Sequence, residues 1–391
     1  MNIHYKSTMS YRMVFFSACA GMTFFGISLI TLGAVLPSLS AKFALDNLGV
    51  STVVTFLPFG VLLGSLVFGP FVDRFGYKFL LILSSLVTAS GLVWIGTSES
   101  LAAIRIAVFL TGFGGGILNG ETNTIVSDIS GDDRNSNLSF LAIFFGLGAL
   151  GIPVLLGALS KHFSFETILP AAGALMALIT VAFFFISFPS PKQAQGFPFR
   201  EGFRLLGKPL LLLLSFVLFF ESGMEGLTNN WTTTFLEKSR ALSPGKALFA
   251  LTMMVAGMTA TRLLLGFVLK KVKSSIVIYA GLISIALGIV LVWSGVSHIA
   301  GVIFLGAGFA PVFPVVLGYI GTLYPDLSGT AFSIALFIAL LGNTGLNFLM
   351  GVISDISGIQ IFPVVLLIAV LMMSVLIVIS LKNKSLTNKV K

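Results

Sequence analysis

Charged residues are scarce in this chain. Of its 391 residues only 9% are charged and 56% are hydrophobic, and the mean hydropathy is +1.05. A soluble domain carries about 25% charged residues. The longest polar stretch is residues 189–208, which leaves no room for a separate soluble domain. The composition therefore predicts an integral membrane protein and excludes an ordinary soluble enzyme.

Cysteine and histidine are also rare. Cys19 is the only cysteine, which excludes a disulfide framework and a cysteine metal site. The three histidines, His4, His162 and His298, stand far apart near predicted helix ends. The glycine-rich run at 112–116 has no preceding strand and no following Lys-Ser/Thr pair, so it indicates a close helix contact rather than a phosphate loop. We expect no metal and no cofactor, and an ion gradient as the energy source.

The net charge of +9 points to orientation in a membrane rather than to nucleic acid. The basic residues sit in short loops that flank apolar runs, where they set topology. With the N-terminus inside, sixteen lysines and arginines fall on the inner side and six on the outer side. This predicts a multi-pass protein of the plasma (cytoplasmic) membrane with both termini cytoplasmic. The N-terminal segment leads into a long apolar run, so we expect it to remain uncleaved.

Twelve apolar runs are long enough to span a bilayer, which needs about 20 residues. The predicted helices are 12–38, 50–72, 77–97, 101–127, 137–160, 164–188, 209–236, 245–269, 274–296, 299–323, 329–352 and 358–381.

The two halves of the chain repeat. Glycines recur at an offset of 194 or 197: Gly148, Gly151 and Gly157 with Gly342, Gly345 and Gly351, and Gly60, Gly69 and Gly91 with Gly257, Gly266 and Gly288. The repeat predicts two six-helix bundles, 1–188 and 209–391, joined by a cytoplasmic linker at 189–208. A binding site between them near the midplane is expected for such a repeat. Because both halves lie in one chain, a monomer is sufficient.

A polar motif separates the second and third predicted helices. It reads GPFVDRFGYK and contains Gly69, Asp73, Arg74, Gly76 and Lys78. The motif and its position resemble the signature loop of the major facilitator superfamily. The resemblance implies an all-α integral membrane protein, with twelve transmembrane helices in two pseudo-symmetric six-helix bundles, that transports solutes and is not an enzyme. In the second half, Lys270 stands where Asp73 would recur.

The same resemblance implies a cytoplasmic gate. Asp73 would cap the first turn of helix eleven near Gly329, where the helix dipole favours a negative charge. Arg74 or Lys78 would form an ion pair with Asp128 at the end of helix four. The alternative interpretation is that Asp73 and Arg74 only end a helix and set topology.

Acidic residues inside apolar helices indicate transport chemistry. Glu121 lies in helix four, and Glu221, Glu225 and Asn229 form an i, i+4, i+8 row in helix seven. A carboxylate at such depth costs roughly 2.5–3.5 kcal/mol, so these residues are usually functional. Two carboxylates on one face repel, so either one is protonated or both meet a cation. We predict that they bind protons or solute. The alternatives are that Glu121 is permanently paired with Arg262 and that Glu221 only makes a polar contact between helices.

Helices four and seven further resemble the fucose:proton symporter and sugar-permease branch. The resemblance rests on Glu121, Asn123, Glu225 and Trp231. It implies that these residues carry protons or contact a sugar-like solute. Helix one lacks the acid of that branch and helix five is apolar, so specificity for fucose is not implied.

Several intramembrane residues have two open interpretations. Arg262 on helix eight either joins the cytoplasmic gate through an ion pair with Glu121 or extends toward Lys270. Asn343 and Asn347 on helix eleven either hold helices together or contact solute. Trp231 either stacks on a solute ring or anchors the helix at the interface.

The predicted function is import of a small solute, sugar-like or another small metabolite, coupled to protons or another ion. The alternative is a proton antiporter that exports a drug or metabolite, because an acidic interior suits a cationic solute. The expected partners are the lipid bilayer, the solute and protons, with no nucleic acid.

Overall fold

The computed structural model describes residues 8–159, 162–193, 199–383 and 386. Within these ranges every regular element is a helix, and twelve helices are long and apolar enough to cross a membrane. The predicted all-α fold with twelve spans is confirmed. Residues 1–7, which carry part of the prediction about the N-terminus, and residues 194–198 of the predicted linker lie outside the described ranges.

The helices follow the predicted order closely. They are α1 (Thr8–Lys42), α2 (Asn47–Phe75), α3 (Tyr77–Thr97), α4 (Leu101–Ile129), α5 (Arg134–Leu159), α6 (Phe165–Phe183), α7 (Pro209–Arg240), α8 (Pro244–Val268), α9 (Ser274–Ser294), α10 (His298–Phe309 and Val312–Leu323), α11 (Ser328–Ser357) and α12 (Phe362–Lys382). A short helix, Phe199–Leu205, lies in the predicted linker.

Two helices differ from the prediction in ways that proline explains. The sixth ends at Phe183 rather than at residue 188: residues 184–186 continue in tighter turns with i→i−3 hydrogen bonds, and the proline at 189 keeps residue 188 out of the helical conformation. The tenth is broken between Phe309 and Val312, where Pro311 has no N–H to donate to the preceding turn.

The chain forms two compact units. Unit 1 is drawn from Met1–Ile129, Leu141–Gly202 and Asp326–Ser333, and unit 2 from Ser130–Phe140, Phe203–Pro325 and Ile334–Lys391. Each unit therefore holds most of one half of the chain and the first residues of a helix from the other half. The predicted domain boundaries at 188 and 209 remain predictions.

Helix α4 is the centre of unit 1 and packs against α1, α2 and α3. Glycines of its run at 112–116 contact all three of these helices. Gly112 lies against α2, Gly114 against α3 and Gly115 against α1, each so close that an added Cβ would stand 2.3 Å from the neighbouring helix. The interpretation of this run as a helix contact is confirmed.

Unit 2 repeats these contacts at the offset found in the sequence. A Cβ on Gly112 would lie 2.3 Å from the carbonyl oxygen of Leu57, and one on Gly306 would lie 2.1 Å from that of Met254. The same correspondence holds for Gly148, packed on Thr23, and Gly342, packed on Phe219. Because both the glycines and the carbonyls they approach recur, the repeat extends from the sequence to the packing inside each unit.

Candidate functional site

Unit 1 contains a polar corner where α2 ends and α3 begins. Asp73 is fully buried there and accepts hydrogen bonds from the backbone N–H groups of Gly329, at 3.1 Å, and Thr330, at 2.8 Å. The hydroxyl of Thr330 donates a third bond at 2.6 Å. These donors belong to the first turn of α11, whose dipole favours a negative charge. The expected contact between Asp73 and helix eleven is confirmed, whereas its role as a gate stays a prediction.

The glycines of the motif make this corner possible. A Cβ on Gly69 would stand 2.4 Å from the carbonyl oxygen of Gly329, so α2 approaches the start of α11 backbone to backbone. Gly76 links α2 to α3 with a φ of 78°, a conformation that favours glycine. The spacing of the motif thus follows from three contacts: Gly69 lies against α11, Asp73 caps the first turn of α11, and Gly76 forms the tight turn into α3.

The cation that meets Asp128 is not the expected one. The sequence predicted Arg74 or Lys78, but the Nζ atom of Lys192 lies 2.5 Å from the Asp128 carboxylate. Arg74 and Lys78 instead donate to backbone carbonyls in the segment that follows α6. The carbonyl that Lys78 meets, that of Phe184, lies at the C-terminus of α6, where the helix dipole attracts a cation, whereas Arg74 meets the carbonyl of Gln193 farther along this segment.

Lys192 belongs to a short network that covers the corner. Its Nζ atom donates to Ser328 Oγ at 2.6 Å, and Ser328 donates to Asp128 at 2.9 Å. Tyr77 donates a further hydrogen bond to Asp128. The backbone N–H of the next residue, Gln193, donates to the carbonyl of Asp73 at 2.8 Å. Sequence reasoning treated Lys192 only as a topology lysine, and no local pattern singles out its partners.

Glu121 is the buried acid of unit 1. Its side chain on α4 is fully buried and comes within reach of the Leu81 backbone on α3. Neither carboxyl oxygen makes a hydrogen bond of ordinary geometry within the described residues. Asn123, its predicted partner, bonds within α4 to the carbonyl of Asn119 at 2.8 Å. An ionised carboxylate without donors is strongly unfavourable in such a place, so this arrangement suits a protonated Glu121.

Unit 2 brings three charged residues together, which we call the acidic cluster: Glu221, Glu225 and Arg262. The Nη2 atom of Arg262 lies 3.9 Å from a carboxyl oxygen of Glu225. Glu221 is 1% exposed, has both as charged neighbours and makes no hydrogen bond in the described residues. Neither interpretation of Arg262 anticipated this pairing, which arises because α8 packs against α7.

The asparagines of α11 bond to α7. Asn343 donates to the carbonyl of Ser222 at 2.9 Å, and the side-chain oxygen of Asn347 accepts from Trp231 Nε1 at 3.2 Å. Of the two interpretations for these asparagines, the observed contacts are those that hold helices together. Asn229 is half-buried and makes no side-chain hydrogen bond within the described part of the chain.

Across the residues that the structure describes, no group of three or more His, Cys, Asp or Glu side chains could hold a metal ion. The charged partner of the acids in unit 2 is an arginine. The side chains of the two sites are carboxyl groups, an arginine and amides, which can bind protons, form ion pairs and form hydrogen bonds.

Comparison with known proteins gives a consistent result. The sequence profile described as Major Facilitator Superfamily matches residues 15–344. The uncharacterised MFS-type transporter YfkL of Bacillus subtilis is 25% identical over 352 residues, which cover 86% of this chain and 87% of YfkL.

Two solved structures share the fold. The fucose:proton symporter FucP of E. coli superposes with a TM-score of 0.79 at 15% identity, covering 96% of this chain and all of FucP. The human organic anion transporter MFSD10 gives 0.71 at 17% identity, covering 93% of this chain and 99% of MFSD10. At such identities the likeness establishes the fold and leaves the solute open.

Proposed function

Because the chain belongs to the Major Facilitator Superfamily of membrane transporters, we propose that it moves a small polar solute by alternating access and couples this movement to protons. The solute is sugar-like or another small metabolite. The protein acts as a monomer in the cytoplasmic membrane with both termini in the cytoplasm, an orientation supported by the sixteen basic residues on that side.

One observation supports the proposed proton coupling. Glu121 and Glu221 are each at most 1% exposed, and none of their carboxyl oxygens has a hydrogen-bond partner among the described residues. A buried acid in this setting holds a proton, and it releases that proton when a conformational change brings water or a cation to it. Because gaining or losing the proton is tied to the conformational change, such a group lets a proton gradient favour one conformation of the transporter over another.

The corner of unit 1 is the proposed cytoplasmic gate. Asp73 bound to the first turn of α11, and Asp128 bound to Lys192 and Ser328, would hold one conformation of the transport cycle. Opening of the cytoplasmic side would break these bonds. Arg262 was assigned to this gate from the sequence, but its pairing with Glu225 supports a role in the acidic cluster instead.

The test is the internal pH of proteoliposomes loaded with a pH-sensitive dye. Sugars, amino acids and lipophilic cations would be added outside in turn. A symporter acidifies the lumen when its solute is added, whereas an antiporter that exports a drug or metabolite alkalinises it.

Variants connect the response to the acids. Glu121→Gln, Glu221→Gln and Glu225→Gln should each abolish the pH change, whereas Asp355→Asn, the same carboxyl-to-amide change at an exposed position, should leave it intact. Solute uptake with unchanged proton movement in all three glutamine variants would contradict coupling through these acids. A lumen pH that responds to no compound would count against proton coupling itself.

A further inference from the structure

Arg262 is a buried cation with open hydrogen-bonding positions. Its side chain is 12% exposed, and its closest ionic contact is the Glu225 carboxylate at 3.9 Å, which is too long for a hydrogen bond. Its Nε atom is buried and has no partner in the described part of the chain. A guanidinium cannot lose its charge and presents a planar fork of N–H donors. Arg105 and Arg240 also have a buried Nε without a partner, but each donates a hydrogen bond through Nη2, whereas Arg262 makes none in the described residues. Because buried donors are normally filled, the fork of Arg262 can take an acceptor that the helices themselves do not supply.

The surroundings of Arg262 define what that acceptor must be. Glu221 and Glu225 on α7 are the charged groups near it. The other helices packed on α7 add no competing charge at this level. α11 presents the neutral Asn343 and Asn347, α10 has His298 at its start, near Arg240 at the end of α7, and no Asp, Glu, Lys or Arg, and α12 has only Lys382 at its end. With one glutamate protonated, the cluster is neutral.

We propose that Arg262 binds a carboxylate group of the transported solute. On binding, Arg262 exchanges Glu225 for the solute carboxylate, which matches the guanidinium fork with two parallel hydrogen bonds. Glu225 then takes up a proton from the aqueous side on which the solute enters. The added negative charge and the added proton balance, so the cluster keeps its net charge. The inference rests on the proposed proton-coupled transport and specifies its solute class as a small organic anion.

Charge linkage gives this exchange a measurable signature. Because one proton accompanies each carboxylate in this exchange, affinity for the anion should fall as the pH rises, by up to about tenfold per pH unit. Glu225→Gln removes the competing carboxylate at constant size, so the anion should bind more tightly and without pH dependence. Arg262→Lys keeps the charge but loses the fork, and should weaken binding by about tenfold or more.

The experiment measures thermal unfolding of the purified full chain in detergent at pH 6 and pH 8 and constant ionic strength. The probes are pairs that differ in one carboxylate: glucuronate and glucose, benzoate and benzamide, succinate and succinamide. We expect at least one carboxylate to raise the Tm, more at pH 6 than at pH 8, while its neutral partner does not. Arg105→Lys is the matched control, because Arg105 is a partly buried arginine of unit 1 that should not affect the response.

Three results would overturn the anion site: equal stabilisation by neutral and charged members of a pair, stabilisation that survives Arg262→Lys, or no effect of any carboxylate at either pH. If Arg262→Lys does not fold, the loss of pH dependence in Glu225→Gln decides the question.

Failure of the anion site is distinguishable from failure of proton coupling. Carboxylate binding with no proton movement in proteoliposomes would retain the site and refute coupling. Proton movement driven by a neutral sugar and unchanged by Arg262→Lys would retain coupling and refute the site.

Discussion

The two units build equivalent corners from different chemistry. In unit 1, Gly69 and Asp73 meet the first turn of α11, and Asp73 is buried under three hydrogen bonds. In unit 2 the corresponding positions are Gly266 and Lys270. Lys270 forms a 3.6 Å ion pair with Asp133, and the two side chains are 44% and 52% exposed. Both corners keep a glycine tightly packed against a neighbouring helix, but that neighbour is backbone in unit 1 and the Phe140 ring in unit 2, and only unit 1 buries a charge.

The corner of unit 2 relies on neutral contacts with the first residues of α5. Ser136 donates to the carbonyl of Gly266, and Asn135 donates to Ser274 at 2.7 Å. The ring of Phe140 covers Gly266. An exposed ion pair adds about 0–1 kcal/mol, whereas a buried charge with helix donors is worth more. The difference indicates that charged contacts stabilise the corner of unit 1 more than the corner of unit 2.

The largest effect is expected at the backbone contact between Gly69 and Gly329 in the corner of unit 1. In Gly69→Ala the new Cβ would stand 2.4 Å from the carbonyl oxygen of Gly329, so backbone must move and the free energy of unfolding should fall by about 3 kcal/mol. In Gly266→Ala the nearest atoms belong to the Phe140 ring, which can shift, so the loss should be smaller. Unfolding in mixed micelles measures both, and equal losses would refute the asymmetry.

The buried charge comes next. Asp73→Asn keeps the shape of the side chain but removes its charge and turns an N–H donor toward α11. We expect the free energy of unfolding to fall by about 2 kcal/mol. Asp133→Asn, the same change in the half-exposed pair of unit 2, should alter it by less than about 0.5 kcal/mol. An Asp73→Asn protein as stable as the parent would show that the three hydrogen bonds do not depend on the charge.

Most of the fold could be predicted from local features of the sequence. Runs of apolar residues located all twelve spans, because a membrane span is defined by its own length and composition. The glycine offsets identified the repeat for a similar reason, since helices can touch backbone to backbone only at small residues. The break in α10 was visible as Pro311 but was not predicted, because prolines inside membrane helices are often tolerated.

The candidate sites were predictable only in part. Glu121, Glu221 and Glu225 stand out because a charge inside an apolar run is rare. Their partners do not stand out: the pairings of Lys192 with Asp128 and of Arg262 with Glu225 join residues far apart in the chain. Such pairs depend on how helices rotate against each other, which periodicity does not specify. The gate, coupling and solute roles of these residues remain predictions.

A smaller effect tests the lysine of the linker. Lys192→Met removes a cation 2.5 Å from Asp128 in a pair whose side chains are 23% and 11% exposed. Asp128 keeps its bonds to Ser328 and Tyr77, so we expect a loss of about 1 kcal/mol in the free energy of unfolding rather than a collapse of the corner. Lys192→Arg should restore most of it. A loss that the arginine does not restore would indicate packing of the lysine stem instead of its charge.

The smallest effect is expected at the equivalent pair of unit 2, and salt makes the contrast sharp. Lys270→Met should change the free energy of unfolding by less than about 0.5 kcal/mol, because the Lys270–Asp133 pair is half exposed and competes with water. Sodium chloride at about 1 M should abolish even this difference, since the screening length is then about 3 Å, shorter than the 3.6 Å separation of this exposed pair. The Lys192→Met difference should persist in the same salt, because its pair is shielded from solvent. If both differences disappear in salt, the two lysine pairs are electrostatically alike. The extra stability of the corner of unit 1 then comes from Asp73 and the glycine contact alone.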